Sequence, residues 1–297
     1  MSLNWNVGTK GIQYADIYVA IEKGFFSEKQ ITVSLTSSST PTGTLLLSGA
    51  AQISSGQPTF TYVPNSQGAD LVAIYSPAAT YEVWIAKPPI TDPKQLEGKI
   101  IGVFSLQDLD VVYTKQLMDE NGLKPGSYTL FAAGATNNKL AAVVAGQVAA
   151  APLYPPANFV AKQQGLVEIF NTSQLKFGQV PTFYEVRRSW ASQHPVAVVN
   201  VIRALNKAHN WLFDRANRAE AIQILVKNTS VAADIAEMSY DLFFTTPGKI
   251  YSKNGEWDAN VVKKVGDELV TLGLLTAPPP TYESTVAPEY RDKALAP

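Results

Sequence analysis

Two separated stretches of the chain follow one design, and that repetition most limits the folds available. Residues 37–58 read SSSTPTGTLLLSGAAQISSGQP and residues 134–156 read GATNNKLAAVVAGQVAAAPLYPP. Each begins with small polar groups, continues as an apolar helix, stops at a glycine (Gly49, Gly146), resumes as a short apolar strand and breaks at proline. Thr136, Asn137 and Asn138 are helix-capping types, and a glycine takes the left-handed conformation that closes a helix. The apolar runs through Ile53 and over residues 148–153 are too short for anything but inner strands. Two such copies predict two similar α/β lobes. A loop at the carboxyl end of a strand in each lobe then looks into a shared crevice, where open α/β sheets bind ligands.

The rest of the chain fits that plan. A length of 297 residues with 46% hydrophobic content supports two cores. A net charge of -1 gives no basic excess for nucleic acid or a membrane surface. The absence of cysteine excludes disulfides, thiolate metal sites and cysteine nucleophiles. No apolar run reaches the length of a membrane span. Met1, Ser2 and Leu3 look like a remnant left where an export signal was removed.

Strand, helix, strand, helix in succession predicts a parallel sheet with helices on its faces. The expected divisions are residues 1–87 for the first part of lobe 1, 88–180 for lobe 2 and 181–297 for the return to lobe 1. Residues 82–86 read as a strand leaving the first lobe, broken by Lys87-Pro88-Pro89, and residues 183–186 as the strand that rejoins it. Two crossings make a hinge able to close on a ligand. Beyond Pro195 the pattern is helical, and the proline-rich tail from Ala277 drapes over the first lobe.

Several segments together resemble the NMT1/THI5-like group of periplasmic solute-binding proteins of ABC importers. AIEKGFFSEKQITVSL (residues 20–35) is similar to the group's opening, and ITDPKQLEGKIIGVF (residues 90–104) to the segment that opens its second lobe. LLLSGAAQI and VVAGQVAAA resemble its two leucine-glycine-aspartate elements, except that the aspartate is replaced by Gln52 in one and Ala149 in the other. The resemblance implies a type II periplasmic-binding fold: two αβα lobes, a two-strand hinge and a ligand cleft between them. It also implies a periplasmic location, with an ABC permease and a small-molecule ligand as partners.

The candidate ligand contacts lie on loops expected to converge on the crevice. In lobe 1 they are Thr9, Lys10, Tyr14, Ser38, Ser39, Thr40, Gly56, Gln57, Pro58 and Ser76. In lobe 2 they are Ser105, Asp108, Gly134, Thr136, Asn137 and Tyr154, with Tyr184 on the returning strand. Loops that run into helix N-termini offer free amides to a polar ligand. The plainer reading is that Ser39, Thr40, Thr136 and Asn137 only cap helices. Tyr14 and Tyr154 could stack on a ring or could simply pack. Gln57 can both donate and accept. Asp16 and Asp108 are the acids nearest the expected crevice, as ligand partners or as first-turn and capping acids. His194 and His209 have no third ligand at useful spacing, so no metal site and no cofactor are expected.

All six arginines lie at or beyond Arg187. The loops before Tyr184 therefore lack the bidentate clamp that small carboxylates favour. The expected ligand is a small neutral, weakly anionic or aromatic molecule, of sulfonate, aromatic carboxylate or pyrimidine type. No nucleophile–base arrangement, paired carboxylates on one helix face or phosphate loop is present, so an enzyme is not expected. A pyrimidine-synthesising enzyme of the THI5 type and a ligand-sensing domain on the same fold are the alternatives. No nucleic-acid partner and a monomeric state are also expected.

Overall fold

The computed structural model describes residues 1–296 except 39, 41, 177, 179 and 246–248. Ser39, one of the expected ligand contacts, lies outside the described residues. The chain forms two compact units, Met1–Ala79 with Val180–Pro297, and Thr80–Gln179. It therefore passes between them twice.

The first unit begins with β1 (Ser2–Val7), α1 (Ala15–Glu22), β2 (Thr32–Ser37), α2 (Thr42–Leu47), β3 (Ile53–Gly56), α3 (Thr59–Ser66) and β4 (Leu71–Tyr75). Leu3, Trp5 and Val7 of β1 are buried while Ser2 and Asn4 face out, and the alternation ends at Asn6, which is also buried. The second unit follows with β5 (Val83–Ala86), β6 (Ile100–Val103), α4 (Leu109–Glu120), β7 (Thr129–Ala132), α5 (Thr136–Ala145), β8 (Ala150–Leu153), α6 (Ala157–Gln163) and β9 (Val167–Asn171). On return to the first unit come β10 (Phe183–Arg187), α7 (Arg188–Gln193), α8 (Pro195–Phe213), α9 (Arg218–Thr229), α10 (Ala233–Phe244), α11 (Ala259–Thr271), α12 (Tyr282–Thr285) and α13 (Pro288–Leu295).

The sheets share one plan. The first runs β2-β1-β3-β10-β4 and the second β7-β6-β8-β5-β9. In the first, β1 is parallel to β2 and β3, whereas β10 is antiparallel to both β3 and β4. In the second, β6 is parallel to β7 and β8, and β5 is antiparallel to both β8 and β9. The expectation of parallel sheets thus needs correcting: each is mixed, with one antiparallel strand in the fourth place.

The first crossing also comes earlier than the sequence indicated. Residues 80–87 belong to the second unit rather than to lobe 1, because β5 is fully buried between β8 and β9. The Lys87-Pro88-Pro89 break ends a strand of the second sheet instead of marking an exit from the first.

Most expected elements appear. α8 spans residues 195–213 with Pro195 in its first turn, and its buried Val198, Ile202, Leu205, His209 and Leu212 make one apolar stripe. Gly146 closes α5 in the left-handed region at φ 75°, and Gly49 has φ 76°. α3, α6, α7 and the two tail helices were not expected, α3 because Pro64 stands inside it and α6 because it follows the Tyr-Pro-Pro break directly. The tail is helical: α13 packs on α8 and β4, and Val286 bridges to Ala73.

Candidate functional site

In the first unit, Gly56, Gln57 and Pro58 sit at the carboxyl end of β3 and are buried, Gln57 leading into α3 through its carbonyl, which accepts from Phe60 N at 2.9 Å. Thr9 is half-buried and Lys10 exposed just past β1. The Ser38 hydroxyl accepts from Thr40 N at 3.2 Å, a local turn contact. Ser76 is buried and bound on its backbone by Gly255 O at 3.0 Å and Ser252 Oγ at 2.6 Å, so it belongs to the packed interior. Gly255 at φ +68° is required there, since a Cβ would overlap the Tyr75 ring.

Tyr184 also belongs to the interior. Its ring packs edge-on to Trp5 at 4.9 Å and stacks on Tyr75 at 6.0 Å. Its hydroxyl donates to Asp16 Oδ1 at 2.5 Å. Asp16, a first-turn acid of α1, is fully buried and does more than favour a helix dipole. His209 Nε2 lies 3.2 Å from its Oδ2, and Tyr75 Oη lies 3.3 Å from His209 Nδ1. Tyr251 Oη donates to Gln13 O at 2.8 Å and lies 3.3 Å from Asp16 Oδ1. This network joins α1, β4, β10 and α8, and burial first, then the Asp16 charge, hold the hydroxyls of Tyr75, Tyr184 and Tyr251 well above the usual tyrosine range. Tyr14, also buried, lies 6.5 Å from Tyr184.

The same unit holds a second buried acid on β10. Glu185 accepts from Thr61 Oγ1 at 2.6 Å, while burial pushes its carboxyl up to about 8 despite that bond. A folded-state pKa above the ordinary 4.5 means the associated stability is complete below pH 4.5 and is lost as pH rises through 8. Glu185→Gln keeps the Thr61 bond and cannot ionise. Its melting temperature is expected to fall less than that of the parent protein between pH 5 and 9, by a difference worth up to about 5 kcal/mol. Parallel melting curves across that range would contradict the assignment.

In the second unit the parallel strands β6 and β8 end beside the N-termini of α4 and α5. Asp108 caps α4, its Oδ1 accepting from Asp110 N at 3.2 Å. Ser105 accepts from Gln107 N at 3.3 Å. Thr136 and Asn137 open α5 without capping it, since Ala135 stands at the cap with no side-chain bond. Gly134 turns the chain at φ +83°. Tyr154 follows β8 and is half-buried, and Lys139 Nζ lies 5.8 Å from its ring centroid.

Lys139 and its partners escaped the sequence reading. The Lys139 Nζ–Asp110 Oδ2 pair is 2.6 Å long and each side chain is only 1% exposed. Asp110 also accepts from Phe104 N at 2.8 Å. Glu82, just before β5, is fully buried and acts electrostatically on both. The Lys139 charge and these hydrogen bonds outweigh burial and lower Asp110, whereas burial and then the Asp110 charge push Asp108 up to about 8 and Glu82 well above the carboxylate range. A lone lysine in the apolar LAAVV helix and the Asp-x-Asp at the start of α4 were the available signals. Among the described residues no group of three or more His, Asp or Glu side chains is placed to hold a metal ion.

Arg187 ends β10 opposite Leu71, at the amino end of β4, and Arg188 after it donates through Nη2 to Glu283 O at 2.8 Å and Val286 O at 3.1 Å.

Two α/β units of one strand order, each completed by an antiparallel fourth strand and exchanged by a chain that crosses twice, define the periplasmic-binding-protein fold. The chain belongs to the NMT1/THI5-like family, whose model matches residues 12–219. Its fold is similar to that of the ligand-binding component of an ABC-type import system from Staphylococcus aureus, with TM-score 0.83 and 12% identity over 99% of each chain. It is likewise similar to the nitrate-binding protein NrtA from Synechocystis PCC 6803, with TM-score 0.81 and 14% identity over 99% of this chain and 89% of that one. The alkanesulfonate-binding protein SsuA from Xanthomonas axonopodis pv. citri gives TM-score 0.77 and 18% identity over 96% of this chain and 98% of that one. No curated protein matches the sequence.

Proposed function

We propose that the protein is an extracytoplasmic receptor that captures a small organic molecule by hinge closure and delivers it to an ABC permease. The observation that carries this reading is the pairing of two like-ordered sheets by two chain crossings, with polar loops at the carboxyl ends of strands in both units. Family membership and neighbours described as import or binding components support it. No helix among the described residues is long and apolar enough to cross a membrane. The ligand is neutral, weakly anionic or aromatic, of sulfonate, aromatic carboxylate or pyrimidine type, a reading supported by the absence of arginine before Arg187 and by the antiparallel register of β10, which sets Arg187 opposite Leu71 at the amino end of β4 and away from Gly56. Thr9, Gln57, Ser105, Thr136 and Tyr154 are the contacts expected to matter most. The receptor acts as a monomer in the periplasm.

Thermal-shift screening against sulfonates, aromatic carboxylates, pyrimidines and nitrate tests the reading, since a solute bound only by the folded state raises apparent stability by about 2.7 kcal/mol at a hundred times its Kd. One chemical class should raise the melting temperature in a saturable way. A flat response to every class would argue against a receptor.

A further inference from the structure

Glu82 has no role in the receptor reading as it stands. It is fully buried, and neither of its carboxyl oxygens meets a hydrogen-bond donor among the described residues. Its position is fixed by the backbone: Glu82 N donates to Thr172 Oγ1 at 3.2 Å, and Thr172 N donates to Glu82 O at 3.0 Å. Val83 pairs with Leu153, which sets Glu82 beside Tyr154 at the carboxyl edge of the parallel strands. Asp108 and Asp110 face it from α4, Lys139 from α5, and Tyr154 from the end of β8.

The charges around it do not balance unless protons are held. Lys139 neutralises Asp110 across 2.6 Å, which leaves Glu82 and Asp108 as two surplus carboxyls in one buried cluster. Carboxylates so close cannot all ionise. A protonated carboxyl carries one O–H donor and keeps acceptor capacity on its other oxygen. Glu82 can share its proton with Asp110, and its remaining oxygen still lacks a donor. Between them the two acids offer what a neutral group with adjacent N–H and C=O requires.

We propose that Glu82 and Asp108, in their protonated forms, recognise an amide-type edge on the captured solute, an N–H beside a C=O as in a primary amide or lactam. This rests on the receptor reading and names the group it selects. An anion would meet no free positive charge, since Lys139 is already paired with Asp110, and a cation would have to displace the protons. Asp108 ionises at about 8, with Glu82 also held well above the carboxylate range, so capture weakens as pH rises past that point. Loss of one proton lowers affinity about tenfold per pH unit there.

The test uses the full chain. At neutral pH, infrared difference spectra should show the carbonyl stretch of a protonated carboxyl, lost in part in Glu82→Gln; absence of that band overturns the proposal. Calorimetry then compares benzamide and 2-pyrrolidone with benzamidine and benzoate. The amides should bind, Glu82→Gln should bind them within a few-fold and keep the alkaline decline, Asp108→Asn should bind them without that decline, and Glu82→Leu should lose at least about a hundredfold. Binding of benzamidine or benzoate in place of the amides, or amide binding indifferent to Glu82→Leu, overturns the inference but leaves the receptor standing. Failure of every solute class in the thermal screen counts against the receptor itself.

Discussion

Lys139→Met is expected to destabilise the second unit by about 3–5 kcal/mol, the cost of leaving a buried charge without its partner. Asp110 would keep Phe104 N at 2.8 Å and the Glu82 carboxyl as hydrogen-bond partners but would have no countercharge. Methionine matches the length of lysine, so the loss is electrostatic rather than a cavity. The double variant Lys139→Met with Asp110→Leu is expected to recover most of the stability, because replacing both partners of a buried pair by apolar groups is often neutral. Urea unfolding midpoints measure both. An unchanged midpoint in the single variant would show that the pair is not held as described. The pH dependence has a definite sign: Asp110 is lowered, so its contribution is present above the ordinary carboxylate pKa and is lost as pH falls through its folded value.

The second large effect lies in the first unit. Asp16→Ala removes the acceptor for Tyr184 Oη at 2.5 Å and for His209 Nε2 at 3.2 Å, with Tyr251 Oη close by. Each buried donor left unsatisfied costs about 1–3 kcal/mol, so a loss of roughly 3–5 kcal/mol is expected. Tyr184→Phe, which removes one hydroxyl and leaves Asp16 its other partners, should cost only about 1 kcal/mol. Equal losses in the two variants would mean that Asp16 does not gather these donors.

Much of the fold is legible in the chain because it is written locally. Short apolar runs bounded by glycine or proline gave the strands, Pro195 opened α8, and Asn121-Gly122 followed α4. What local pattern cannot state is direction. The four residues of β5 are buried on both faces and read alike parallel or antiparallel, so their place in the second sheet depends on β8 and β9. α3 was hidden by Pro64, whose penalty the packing overrides. The loops were placed by topology, but the acids behind them were not. Glu82, Asp108, Asp110 and Lys139 come from separate segments, and only folding makes them neighbours. Tyr184 stood among the candidate ligand contacts by its place on the returning strand, and only its neighbours Trp5 and Tyr75, distant in sequence, show that it is buried.

The direct test of the receptor account is equilibrium dialysis of the screened solute against the purified chain, followed by mass spectrometry of what is recovered. One solute molecule per chain, returned chemically unchanged after prolonged contact, is the expected result. Conversion of the solute to a product, or recovery no greater than from buffer alone, would contradict it.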